Sequence, residues 1–165
     1  MVDLILTISI FLHLIATVLW IGGLVIFNVL VVPSVQRYLE PPIAGKLMGP
    51  MGAVARKIFY IGVVLFLVSG SLMTIVNQNY EGLLNFGNAW SQAMLVKHIL
   101  VGILIVLAVY HHEILIPKQA KLAGKPSKEL EKVEKQLKLA GIAALILVFV
   151  ILLLTAIASA ITSVQ

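Results

Sequence analysis

The chain of 165 residues is 61% apolar and 12% charged, with a net charge of +5 and a strongly positive mean hydropathy. That is too apolar for a soluble domain of this size, so lipid must act as its solvent, and no length remains for a separate soluble domain. The absence of cysteine excludes disulfides, thiolate copper sites and covalent c-type haem attachment.

Four apolar stretches account for most of the chain, at about 4–32, 54–76, 89–116 and 139–162, each long enough for the roughly 20 residues that a hydrocarbon crossing needs. The expected fold is an all-α integral membrane protein, a four-transmembrane-helix bundle forming a single membrane domain over 1–165. The first stretch has no basic leader and no small-residue cleavage motif, and its apolar run exceeds that of a signal peptide, so it reads as a retained helix.

Eleven of the twelve Lys and Arg lie in two connections: Arg37, Lys46, Arg56 and Lys57 in the first, and Lys118 through Lys138 in the third. Basic residues collect on the cytoplasmic side, which predicts an N-out, C-out protein of the cell (cytoplasmic) membrane with both basic loops inside. Topology and attraction to anionic lipid account for the charge, with no role for nucleic acid.

The first span carries His13 and Trp20, two helical turns apart and so on one face, followed by Gly22 and Gly23, which would let a helix or a flat ligand approach closely. The connection after it contains Pro41, Pro42, Gly45, Gly49 and Pro50 and is expected to be irregular. In the second span Gly62 and Gly70 share a face with Ser69 and Ser71 nearby, the pattern of a packing seam; Met73 lies near its outer end. Tyr80, Phe86 and Trp90 read as an outer aromatic belt, in a loop that also holds Glu81.

The third span holds most of the unusual residues: Met94, Lys97, His98, Gly102, Tyr110, His111, His112 and Glu113. The fourth is aliphatic and uncharged, a scaffold or a lipid-facing or dimerising surface. Before it, a polar run from about 127 places Leu130, Val133 and Leu137 on one stripe, so the helix is expected to extend into the cytoplasm over 127–162.

A histidine deep in an apolar span is costly unless partnered, and therefore marks a functional site. His13 and His98 lie at similar distances, roughly 9 residues or about 14 Å, inside the outer ends of two spans that run in the same direction. Two imidazoles at matched depth on facing helices suit the axial positions of a b-type haem, with Gly102 one turn from His98 leaving room for the macrocycle. Lys97, the charge in mid-span, could snorkel outward, pair with a haem propionate, or stabilise an anionic substrate. The function this predicts is electron transfer or membrane redox chemistry, with a quinone, a porphyrin or a redox protein as partner. An alternative of another class is copper handling at His13, His98, Met94 and Met73, with His111 and His112 as further candidate ligands, because thioether and imidazole suit Cu(I). A third is a structural subunit without cofactor. A homodimer is a further expectation, since a second copy could supply a ligand facing His111 and His112.

These residues resemble the copper-resistance D (CopD) family and its relative, the HemJ-type membrane protoporphyrinogen oxidase. The resemblance rests on L-H-x6-W-x-G-G at Leu12, His13, Trp20, Gly22 and Gly23, on Arg56 at the basic start of the second span, and on VKHILVGILIVLAVYHH from Val96 to His112. It implies haem b and oxidoreductase activity if the oxidase pattern holds, with roles for His13 and Lys97, and copper uptake if the CopD pattern holds. Gly22-Gly23 after Trp20 is closer to CopD, and the fourth span lacks the Arg and Asn-Glu residues of the oxidase.

Overall fold

The computed structural model describes residues 2–80, 82, 87–122 and 127–163. Among them are four long apolar helices able to cross a membrane: α1 (Leu4–Tyr38), α2 (Ile43–Ile75), α3 (Ala89–Leu122) and α4 (Lys128–Thr162). The protein is an all-helical, multi-pass membrane protein, and its chain divides into two compact units, Met1–Asn77 and Gln78–Gln165.

In the first unit α1 packs on α2. Pro41 disfavours helical geometry for the residue before it, and Glu40 is accordingly extended at φ −63°, ψ 147°, which ends one helix and starts the next. The seam is built from Ser9, Ala16 and Trp20 on α1 and Phe59, Gly62, Phe66, Ser69 and Gly70 on α2. Ala16 is 0%, Phe59 1% and Ser69 1% exposed. Trp20 lies across Phe59 and Phe66, with ring centroids at 5.5 and 5.2 Å. Gly62 makes this approach feasible, since a Cβ there would stand 3.3 Å from Trp20 Cβ.

In the second unit α3 packs along α4. Asn88 caps α3 by accepting from Ser91 N at 2.7 Å, and Ser127 caps α4 by accepting from Leu130 N at 3.1 Å. Buried Val133, Ala140, Ala144, Val148, Ile151 and Ala158 recur at steps of three, four or seven residues along α4, with Leu104, Ala108 and Leu115 on α3. Small residues in such a seam let membrane helices approach closely. Lys118 and Glu129 form an ion pair at 3.0 Å between the two helices. Elsewhere each unit, taken by itself, exposes aliphatic and aromatic side chains, among them Phe11, Val18 and Val64 in the first and Val106, Phe149 and Leu153 in the second, the apolar surface that a protein in lipid requires.

Several local expectations need correction. The first connection is not irregular: helix runs unbroken over Pro41–Ile75. Pro41 and Pro42 occupy its first turn, where the missing N–H has no intrahelical acceptor to lose. Pro50, the interior proline, removes a single hydrogen bond, the one to the carbonyl of Lys46. The first and third spans also run past their prolines. Each proline is preceded by a π turn, Phe27–Val31 before Pro33 and Tyr110–Leu115 before Pro117. A proline clashes with the carbonyl four residues back. Here those carbonyls belong to Val29 and Glu113, inside turns whose register has already moved to i→i+5, so the helix continues. Trp90, expected in an interfacial belt, is buried at 4% exposure in the first turn of α3, two residues after the Asn88 cap. Glu81, Phe86 and Lys125 lie outside the described residues. The predicted extension of the last helix is present: it is helical from Lys128, with Val133 buried and Glu131, Lys132, Glu134, Lys135 and Lys138 exposed.

The seam makes a prediction. Gly62→Leu forces Trp20 out of place and should destabilise the protein by about 1–3 kcal/mol, whereas Gly45→Ala, which meets nothing within 4 Å, should stabilise the helix by up to about 1 kcal/mol. Thermal unfolding of the purified protein in detergent checks both; an unchanged midpoint for Gly62→Leu would contradict the seam.

Candidate metal centre

His13 lies in the α1–α2 seam. Its Nδ1 is 2.9 Å from Ser69 Oγ, and its ring meets Phe66 edge to face, with centroids 4.8 Å apart. Gly70 leaves the space for it, since a Cβ there would stand 3.5 Å from His13 Cε1. The direction of the histidine–serine bond follows from Ser69 itself. A hydroxyl has one hydrogen, and Ser69 donates it to the carbonyl of Leu65, one turn back on α2. Ser69 Oγ therefore accepts from His13, so Nδ1 carries the ring hydrogen and Nε2 of the neutral imidazole carries the lone pair.

The same logic fixes His98 on α3. Its Nδ1 is 2.6 Å from the carbonyl oxygen of Met94, and a carbonyl can only accept. Nδ1 is again the donor, and Nε2 again holds the lone pair, on a side chain that is exposed. Metal-ligating histidines commonly donate their second N–H to a carbonyl or carboxylate, and His98 shows the carbonyl form of that bond. The thioether of Met94 is engaged too: Lys97 Nζ lies 3.9 Å from Met94 Sδ. One turn beyond, Gly102 is exposed, and nothing stands within 4 Å of where its Cβ would be.

The remaining predicted residues are placed as follows. Trp20 is packed between Phe59 and Phe66, 8% exposed, in the π turn Val18–Gly22. A Cβ added at Gly22 or Gly23 would meet nothing within 4 Å, so neither glycine is held against a neighbour. Met73 is half-buried on α2. His111 and His112 meet edge to face with centroids 5.1 Å apart. His13 and Met73 belong to the first unit; Met94, Lys97, His98, Gly102, His111 and His112 belong to the second. Among the described residues no group of three or more His, Cys, Asp or Glu gathers to hold a metal ion.

Sequence reasoning paired His13 with no residue of its own hairpin, although Ser69 stood in the Gly62–Gly70 seam. The signal was the turn at Glu40-Pro41: counting outward from it along both helices brings Trp20 opposite Gly62 and His13 opposite Ser69. Treating residues 41–53 as an irregular loop hid that register.

The model of the copper resistance protein D family matches residues 53–158. The match takes in Met73, Met94, Lys97, His98, Gly102, His111 and His112, while His13, Trp20, Gly22 and Gly23 precede it. No curated protein and no solved structure matches the chain. The family match covers well over half of the chain, across most of α2, all of α3 and most of α4, and the protein belongs to the CopD, copper resistance protein D, family.

Proposed function

We propose that this membrane protein handles copper, taking Cu(I) as its cargo at Met94 and His98 of α3. The observation that carries this reading is the state of His98. Its Nδ1 is spent on the Met94 carbonyl, and its lone-pair nitrogen belongs to an exposed side chain one turn from a thioether, within the stretch that matches the copper-resistance family. Imidazole and thioether together form a donor set suited to Cu(I). Lys97 acts against it: its ammonium is at the Met94 sulfur, so the cation binds as Lys97 swings away on its flexible stem. We place the two basic turns in the cytoplasm by the positive-inside rule, with both chain ends on the other side of the cell membrane.

In the test, the full-length protein in detergent is titrated with Cu(I) against a chromophoric chelator. The wild type binds Cu(I), and Met94→Leu and His98→Ala each weaken binding by at least about 10-fold, while Lys97→Met tightens it. Wild-type protein that fails to compete with the chelator would sink the copper reading.

A second reading is supported by the shared tautomer of the two mid-span histidines. His13 and His98 both have Nδ1 bonded and the lone pair on Nε2, which fits each of them to be a ligand that would hold a haem b, His13 oriented by Ser69 and His98 by the Met94 carbonyl. Haem, when bound, supplies one-electron transfer, and in this reading Lys97 balances a carboxylate of the macrocycle, with a quinone or porphyrin as the redox partner. Oxidised and dithionite-reduced visible spectra, with haem and copper quantified on the same sample, check it. The expected result is a haem b spectrum that is weakened or lost in His13→Ala or His98→Ala, with haem affinity weakened roughly 10–100-fold in Ser69→Ala. A colourless protein after haem-supplemented expression would rule the haem out.

A further inference from the structure

We infer that His111 and His112 form a second Cu(I) site, two-coordinate and separate from Met94 and His98, at the end of α3 nearest the connection to α4. The inference rests on the copper reading for the identity of the cargo, and on different residues for its geometry.

Neighbouring residues of an α-helix point about 100° apart, so two consecutive histidines do not ordinarily share a ligand. In this chain they lie in the π turn Tyr110–Leu115. Its i→i+5 register puts more residues into the turn, so successive side chains diverge less, and the two rings come together at 5.1 Å between centroids with an interplanar angle of 84°. Both are half-buried. Leu115, 1% exposed, anchors the same turn, which packs on α4. The last torsion of a histidine is soft, so each ring can turn about its Cβ–Cγ bond to aim a nitrogen at a shared ion.

The number of donors decides which metal fits. No third His, Cys, Asp or Glu joins a metal-holding group among the described residues. Zn(II) sites take four ligands, and Cu(II) prefers a square of nitrogen and oxygen donors. Cu(I), a d10 ion, is stable in line between two imidazole nitrogens. The pair lies 13 and 14 residues beyond His98, about 20 Å further along the helix, so α3 carries two Cu(I) positions along its length: a mixed thioether–imidazole position and an all-imidazole one.

The experiment uses full-length protein in detergent, with Cu(I) delivered under reducing, anaerobic conditions and counted against a chelator. The expected count is two Cu(I) per wild-type chain, one in His111→Gln/His112→Gln and one in Met94→Leu/His98→Gln. X-ray absorption of the Met94→Leu/His98→Gln protein should show two nitrogen neighbours and no sulfur. Should the histidine double variant fail to fold, histidine acylation of the wild type followed by peptide mass spectrometry gives the same answer, with Cu(I) expected to protect His111 and His112. A count unchanged by His111→Gln/His112→Gln, or acylation of both residues regardless of copper, overturns this inference and leaves the Met94–His98 site standing. A single Cu(I) that survives Met94→Leu/His98→Gln and is lost with the histidine pair supports it and removes the other site. Wild-type protein that binds no Cu(I) overturns both.

Discussion

In hydrocarbon no water exists to satisfy a backbone N–H or C=O, and each unpaired group costs several kcal/mol. This constraint explains more of the molecule than any side-chain contact. It is the reason the described chain is helix almost throughout, and the reason Pro33 and Pro117 sit just after π turns rather than ending their helices. It also governs the hydroxyls. Thr17, Ser69, Thr74, Thr155 and Thr162 each donate to the carbonyl four residues back, the ordinary arrangement for such residues in an apolar helix. At Ser69 that local arrangement has a remote result: a hydroxyl with its hydrogen already given away can only accept, and this sets the tautomer of His13.

The four apolar helices, the seam glycines and the candidate histidines were legible in the sequence because each is a matter of residue type and spacing. Gly62 and Gly70 eight residues apart announced a packing face, and the structure seats Trp20 and His13 on it. The helical start of α2 was not legible, because Pro and Gly weaken helix propensity wherever they stand while their actual cost depends on position within the turn. The π turns were hidden for a related reason. A single extra residue per turn leaves almost no trace in an apolar run such as Val18–Gly22, where every face is hydrophobic. Trp90 shows the opposite difficulty: its type and position near the end of a span suggested the interface, but it is buried in the first turn of α3.

The family match begins at residue 53, so the histidine most tightly held by its own hairpin lies outside the matched stretch, and the more exposed His98 lies within it. The two differ in kind. His13 is fixed by a partner on another helix and sits against an aromatic ring, whereas His98 is fixed by its own helix and faces outward. A ring held only by its own helix can meet an incoming ion without any helix moving, which suits cargo that must leave again. A ring locked in a seam suits a resident group.

The helices are longer than a bilayer requires. The apolar part of α4, from Leu139 to Thr162, is about 36 Å long at 1.5 Å per residue, near the roughly 30 Å of the hydrocarbon. It ends abruptly at Lys138 and the charged segment before it. The first hairpin has no such sharp edge: Ile43, Leu47 and Val54 are exposed apolar residues interleaved with Lys46, Arg56 and Lys57. Hydrophobic mismatch is relieved by tilt or by local deformation of the lipid. A well-defined edge fixes the depth at which a hairpin floats, and a graded one lets it adjust. A change in membrane thickness therefore meets a sharp polar boundary on α4 and a graded one on α2.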